Sequence, residues 1–383
     1  MSYIRELEGL RGFMALWVVI GHWATTADLP RAISETKLYN GSAVNVFIIL
    51  SGFAIASLIS KRQQEGYTRY LIRRFLRIFP VYLFFLTISV LMAEYALEAW
   101  LSAPQSGYMN ERRAEIAQNS LTYFWPHLAA HLPALHGVVP PSLLPDSDYA
   151  FLGQAWSISL EWQFYLLAPL LVGCVMHPTR VTLGVAAVCI GILLWLGRFS
   201  TLQMPSGFLG SNFHLIGFYI GICSAVVLGG DLIGKRIEAG QAQMTLAALF
   251  VVTVVLTALK AEFVAMAIWV GVMWMIIGLR RPEARSAQFL SSVLLAPISQ
   301  HLGKMSYSLY LSHMLVIIIG LRILGAAGMT EGWGSAAILL IITLIGTYLL
   351  SLLSYNYIEK PFQDYGRRFR AHRVNEPAPS VAS

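Results

Sequence analysis

The hydrophobic pattern of the chain consists of ten long apolar runs separated by polar segments. The runs cover residues 10–27, 42–60, 77–98, 156–176, 181–197, 212–229, 244–260, 262–280, 304–325 and 335–356. Each has about the 20 residues that a helix needs to cross a bilayer. Backbone groups in lipid must be hydrogen-bonded within the protein, so each run is predicted to be a helix. The pattern predicts an all-α polytopic membrane protein with about ten transmembrane helices.

Basic residues are unevenly distributed among the segments that join the runs. With both termini on one side, 20 of the 27 Lys and Arg residues fall on that side and 7 on the other. Cytoplasmic loops carry such an excess. Both termini are therefore predicted to be cytoplasmic. One long outer loop is expected at about 99–155, and residues 366–383 are expected to form a basic and then disordered tail.

The composition agrees with a membrane protein. Of 383 residues, 56% are hydrophobic and 12% are charged, with a mean hydropathy of +0.62. Soluble domains have about 25% charged residues, so a soluble domain, a disordered chain and a nucleic-acid binder are excluded. The bilayer is the expected partner, and the three cysteines lie in apolar runs and indicate no disulfide framework.

The weaker segment 121–137 allows two interpretations. His127 and His131 are four residues apart and His136 is nearby, a spacing at which histidines can bind zinc. The remaining positions are largely apolar, so an amphipathic helix lying in the membrane interface explains the segment without a metal. The second interpretation is favoured, and no metal is expected.

The first apolar run contains two ionisable residues, Arg11 and His22. Eleven helical steps come to about three full turns, so both lie on one helix face, about 16 Å apart along the axis. Such groups are costly in lipid and are functional candidates by default. Arg11 is placed near the cytoplasmic side and His22 in the outer half; the alternative for His22 is a histidine satisfied in the core.

Further polar residues accompany the runs. Arg73, Arg74 and Arg77 open the third run and are either an anion clamp or positive-inside anchors. Glu161 lies about one turn into the fourth run, with Tyr165 one turn further on the same face, and it would orient a base, pair with an arginine or cap the helix. The supporting candidates, which otherwise serve interhelical packing, are Asn45, Ser51, Tyr307, Tyr310 and His313.

These residues suggest transfer chemistry across the membrane. A neutral imidazole at His22 is a competent general base. It would deprotonate a hydroxyl acceptor for attack on an acyl thioester held from the cytoplasmic side, while an arginine or amide stabilises the oxyanion. Proton-coupled transport is an alternative that the residues alone leave open.

Six motifs occur in a characteristic order. After Arg11 and His22 come "NVFIILSGF", "RRFLRIFPVY", "WSISLEWQFYLLAPL", "SYSLYLSH" and "YIEKPF". In this order they resemble the membrane acyltransferase-3 family, the integral-membrane O-acyltransferases of bacteria, over residues of about 3–369. The resemblance implies a single membrane acyltransferase domain, 1–365, in the inner (plasma) membrane.

The resemblance also implies a reaction. An acyl group, usually acetyl from acetyl-coenzyme A, would move to a hydroxyl of a saccharide or other extracytoplasmic product. The family's Arg–His pair falls on Arg11 and His22, its basic pair on Arg74 and Arg77, and its carboxylate on Glu161. The acceptor and the oligomeric state are not predicted.

Two positions depart from the family pattern. Many members have a second carboxylate where Trp162 stands and an aspartate where Asn45 stands. Some members also carry a fused extracytoplasmic domain, and the chain to Ser383 has no room for one. It is expected to act alone or to pass acyl groups to a separate partner.

The competing hypothesis is a transporter in which His22, Glu161 and His313 form a proton or solute path without acyl transfer. Inverted repeats, frequent in transporters, are not evident. The cytoplasmic arginine cluster also favours the enzyme.

Overall fold

The computed structural model describes residues 4–30, 40–61, 65–104, 107, 109–176, 179–232, 263–279 and 285–368. Regular structure within these ranges is entirely helical, with no strand. The predicted all-α class is confirmed. The predicted run 244–260 and the tail beyond residue 368 lie outside the described residues.

The helices are numbered here in chain order. The first eight are α1 (Arg5–Ala24), α2 (Asn40–Lys61), α3 (Tyr67–Leu91), α4 (Ala93–Leu101), α5 (Asn110–Thr122), α6 (Phe124–His131), α7 (Trp156–Met176) and α8 (Arg180–Arg198). The others are α9 (His214–Leu232), α10 (Phe263–Gly278), α11 (Arg285–Leu295), α12 (Pro297–Lys304), α13 (Ser306–Ala326), α14 (Gly332–Ser354) and α15 (Lys360–Arg368).

Nine of the ten predicted runs coincide with helices of the described chain. The main difference is at run 77–98, where α3 begins earlier, at Tyr67, and a break at Met92 separates it from α4. Two short helices, α11 and α12, were not predicted because their stretch is too polar to form an apolar run. Helix α15 extends to Arg368, into the segment predicted to be a tail.

Several helices satisfy the length and hydropathy of a membrane span. Six described segments are long and apolar enough to cross a bilayer: 40–61, 67–91, 153–176, 180–197, 306–326 and 332–368. Two shorter apolar helices cover 214–228 and 263–278. Helix α1 is not among them because its first turns carry Arg5, Glu6, Glu8 and Arg11. The chain is a multi-pass membrane protein.

Helix α1 lies at the centre of the packing and contacts α2, α11, α12 and α13. Its inner half approaches its neighbours through glycine. A Cβ at Gly9 would overlap the backbone of Leu294, and one at Gly12 would lie 2.8 Å from the amide nitrogen of Gly303. This close approach holds the inner half of α1, and with it Arg11, against α11 and α12.

A second close contact joins α2 to α9. Added Cβ atoms would overlap the carbonyl oxygen of Phe218 at Gly52 and that of Ile49 at Gly221. Small residues that let helix backbones approach are typical of membrane interfaces, where dispersion contacts replace the hydrophobic effect. The contact fixes the face of α2 that carries Ser51.

The segment predicted to be the outer loop contains the helices α5 and α6. His127, His131 and His136 are completely buried, whereas Trp125 is 73% exposed. The polar face of the segment thus points into the protein, and its apolar face points outward. The segment is not one continuous helix: α5 ends at Thr122, and α6 ends at His131, shortly before Pro133, which cannot donate a backbone hydrogen bond.

The three histidines contact the backbone and each other. His131 Nδ1 lies 2.9 Å from the carbonyl oxygen of His127, and His136 Nε2 lies 3.0 Å from that of Ala155. The rings of His131 and His136 stack at 4.0 Å. Burial lowers the pKa of His127 and of His136 to about 4, so both are neutral near pH 7. No group of three His, Cys, Asp or Glu in the described chain is placed to hold a metal.

The α2–α9 contact predicts a stability difference between two glycines. Gly221→Ala should lower the free energy of unfolding in detergent by about 1–3 kcal/mol, because the methyl group overlaps the backbone of Ile49. Gly191→Ala is the matched control, since its Cβ would meet nothing within 4 Å. Denaturation curves measure both; equal stability of the two variants would contradict the packing.

The orientation predicted from the basic residues is also testable. With Cys174, Cys189 and Cys223 replaced by alanine, a cysteine at exposed Glu111 in α5 should react with an impermeant maleimide on intact cells. A cysteine at exposed Arg368 should react only after lysis. The reverse pattern would overturn the orientation.

Candidate active site

Two cavities lie along α1 in the described part of the protein. One, of about 60 Å³, is lined by Arg11, and the other, of about 950 Å³, is lined by His22. They are called the inner and the outer cavity after the predicted orientation of the chain. Val44 and Tyr310 line both. Arg11 and His22 therefore lie at separate cavities that share part of their walls.

The inner cavity has Glu161 on its wall. The carboxylate of Glu161 accepts a hydrogen bond from Ser51 Oγ at 3.0 Å and another from the hydroxyl of Tyr165. Arg11 and Arg77 lie within electrostatic range of this carboxylate. Glu161 does not orient His22 in this geometry, because Glu161 lines the inner cavity and His22 lines the outer one.

The three arginines of α3 have different surroundings. Arg73 is buried and forms an ion pair with Glu65. The guanidinium of Arg74 lies 5.6 Å from the ring centroid of Tyr165. Neither Arg74 nor Arg77 forms an ion pair with any described residue, so their donors remain available to an anion. Of the three arginines predicted as a clamp, Arg73 is thus already paired with a carboxylate, and the clamp itself stays a prediction.

Glu359, in the motif "YIEKPF", was not among the predicted site residues. It is 4% exposed and accepts hydrogen bonds from Ser308 Oγ at 2.7 Å and Gln363 Nε2 at 3.0 Å. It closes a π-helical turn, 355–359, and lies within electrostatic range of Arg77 and Arg11. Such turns are frequent at functional sites, and the motif "YIEKPF" was the available signal.

His22 is half-buried in the wall of the outer cavity. Its ring centroid lies 5.0 Å from that of His313. His313 is completely buried, lines neither cavity, and has no hydrogen-bond partner at either ring nitrogen. The two histidine rings are therefore in contact, and only His22 faces the outer cavity.

Arg113 of α5 is the functional candidate that the sequence reasoning missed. Its Nη2 lies 3.3 Å from His22 Nδ1, and its guanidinium lies 5.1 Å from the ring centroid of Trp100. It donates to Thr25 Oγ1 at 2.8 Å and Thr26 Oγ1 at 2.6 Å. Burial lowers the pKa of Arg113 to about 10, so it is still a cation at neutral pH. From the sequence it was only one of the outer-loop charges.

The remaining candidates surround these residues. The Tyr310 hydroxyl donates to the carbonyl oxygen of Gln154 at 2.8 Å and accepts from Ser157 Oγ at 2.8 Å, which fixes the wall between the cavities. Tyr307 lines the inner cavity and donates to the carbonyl oxygen of Ile78 at 3.0 Å. Asn45 is buried and lines neither cavity.

Comparison with known proteins places this arrangement in a family. Residues 4–352 match the family described as "Acyltransferase domain". YrhL of Bacillus subtilis (strain 168), whose name describes a peptidoglycan O-acetyltransferase, is 24% identical over 98% of this chain and 58% of its own length. Acyltransferase MdmB of Streptomyces mycarofaciens is 25% identical over 98% of this chain and 96% of its own length.

O-acetyltransferase OatA of Staphylococcus aureus is 22% identical over 95% of this chain and 58% of its own length. The chain thus spans less than two thirds of YrhL and OatA but nearly all of MdmB. No solved structure matches it. Since the family match extends over nearly the whole sequence, the chain belongs to this acyltransferase family.

Proposed function

We propose that the protein is an integral-membrane O-acyltransferase that uses acyl-coenzyme A from the cytoplasm and acylates a hydroxyl of a saccharide or other extracytoplasmic product. The observation that carries the proposal is the pair of cavities along α1, with Arg11 in one, His22 in the other and Tyr310 between them. This arrangement allows donor and acceptor to approach from opposite sides. The plasma membrane is the proposed location.

The inner side supports an anionic donor. Arg74 and Arg77 have no ion-pair partner among the described residues, and the fork of an arginine suits phosphate oxygens. Coenzyme A carries such phosphates next to a thioester-forming thiol. The names of YrhL and OatA specify acetyl transfer, which favours acetyl as the group moved.

The outer side supports a large hydroxyl-bearing acceptor. Ligand pockets usually measure about 300–1,000 Å³, and the outer cavity, at about 950 Å³, is at the upper end of that range. Aromatic and aliphatic side chains make up much of its lining, with His22, Arg113 and Gln154 among the polar groups. A sugar ring presents both apolar faces and hydroxyls to such a wall.

The chemistry follows from the position of His22. It takes the proton of the acceptor hydroxyl, whose oxygen bonds to the acyl carbon while the carbon–sulfur bond breaks. The imidazolium then returns a proton to the leaving thiolate. The inner cavity, at about 60 Å³, has room for only about one or two waters, so binding of the donor must widen it at the wall formed by Tyr310.

Donor binding is tested at the basic pair. Arg74→Ala and Arg77→Ala should each raise the apparent KM for acetyl-coenzyme A about ten- to hundredfold, because a charged hydrogen-bonding partner is lost. Arg69→Ala, on the same helix, is the control and should leave this KM unchanged. The measurement is the rate of the detergent-purified protein as a function of acetyl-coenzyme A concentration. Unchanged saturation curves for both variants would remove the pair from the site.

The catalytic role of His22 is tested by substitution. His22→Asn should lower acyl transfer by about 10²–10⁴, the typical effect of losing a general base, while acetyl-coenzyme A still binds. His313→Ala should lower it less, and His301→Asn, whose ring contacts the Tyr348 hydroxyl at 3.2 Å, should not change it.

More than about a tenth of wild-type turnover in His22→Asn would refute the assignment. A purified wild-type protein that moves solute along a proton gradient and consumes no acetyl-coenzyme A would support the transport alternative instead.

A further inference from the structure

The contact between Arg113 and His22 fixes the protonation of the imidazole. A guanidinium has only donors, so His22 Nδ1, 3.3 Å from Arg113 Nη2, must be the acceptor. A neutral imidazole carries one proton, which then lies on Nε2. The base nitrogen of His22, which would receive the proton of the acceptor hydroxyl, is therefore Nδ1. The lone pair of this nitrogen already accepts a hydrogen bond from Arg113.

We infer that Arg113 is a positioning residue that holds His22 in the Nε2–H form, and that the acceptor hydroxyl must displace it from Nδ1 before transfer. This inference rests on the proposed function. Arg113 thereby couples the availability of the base to the presence of an acceptor in the outer cavity, whose wall it forms.

The hydrogen bonds of Arg113 allow such a displacement. Its contacts with Thr25 Oγ1, at 2.8 Å, and Thr26 Oγ1, at 2.6 Å, are shorter than the 3.3 Å contact with Nδ1. The same two hydroxyls donate to the carbonyl oxygen of His22, at 3.1 and 2.7 Å. The threonines thus anchor the guanidinium beside His22, and only the longest of these contacts has to be given up.

The charge of Arg113 is also suited to the reaction. The adjacent Arg112 pairs with Asp146 and with Glu115, whereas Arg113 forms no ion pair with a carboxylate of the described chain. When the hydroxyl proton moves to Nδ1 and the oxygen attacks the acyl carbon, negative charge develops on the former carbonyl oxygen. Once the acceptor has displaced Arg113 from Nδ1, the uncompensated cation anchored beside the base stabilises that charge.

The arrangement has a consequence when no acceptor is present. With Nδ1 occupied, His22 cannot deprotonate water, and the thioester is protected from hydrolysis. Loss of the Arg113 side chain removes this protection. A merely structural role for Arg113 would lower every activity together, so increased hydrolysis is a specific signature.

The first test compares two arginines that each stack on an aromatic ring. Arg113→Met should increase acetyl-coenzyme A hydrolysis without acceptor about tenfold, the effect of losing one charged hydrogen bond, and should decrease transfer. Arg322→Met is the control, because Arg322 also stacks on an aromatic ring, at 5.1 Å from Tyr95, but does not line the cavity. Hydrolysis by Arg113→Met at or below the wild-type rate would overturn the inference.

The second test needs no activity. Histidine labelled with ¹⁵N in the ring, measured by solid-state NMR in the wild type and in His22→Asn, isolates the His22 signals among the nine histidines. We expect a protonated Nε2 and an unprotonated Nδ1. A proton on Nδ1 would overturn the inference even if acyl transfer were confirmed. A wild-type protein that never consumes acetyl-coenzyme A would refute the proposed function, and the spectra would still decide the Arg113 contact.

Discussion

The bilayer offers no polar partners to a charged side chain, so the protein must supply them, and α1 carries two residues with this requirement. Around Arg11 the surroundings are polar because α2 and α7 bring Ser51 and Glu161 to the inner cavity. His22 receives its partner from the outer loop, through Arg113. The elements around α1 therefore supply polar partners to both Arg11 and His22, and a cavity lies beside each of the two residues.

The wall between the two cavities is held in place by hydrogen bonds. Tyr310 of α13 is held by Gln154 and Ser157, at the start of α7. One turn further along α7 lies Glu161, which faces the inner cavity. Because one helical start positions both the wall and the inner carboxylate, a shift of α7 on donor binding would move both. Communication between the two sides therefore has a physical route through this helix.

The sequence predicted most of the helices, but it did not predict which distant residues contact each other. Apolar length identified the helices, and the eleven-residue interval placed Arg11 and His22 on one face of α1, both of which line cavities. Periodicity reports which side of a helix is polar but not what lies opposite. Arg113 is 91 residues from His22 in sequence, in a loop segment whose pattern has no relation to α1.

Trp162 stands where the resemblance to the family led us to expect a second carboxylate, and its surroundings explain why an aromatic residue fits there. Its ring packs edge-on against Phe79, at 5.0 Å between centroids, and against Phe75, at 6.4 Å. It faces α3 and does not line the inner cavity. A carboxylate at this position would be placed among aromatic rings and pay the cost of desolvation. The carboxylate that α7 presents to the inner cavity is that of Glu161, held by Ser51 and Tyr165.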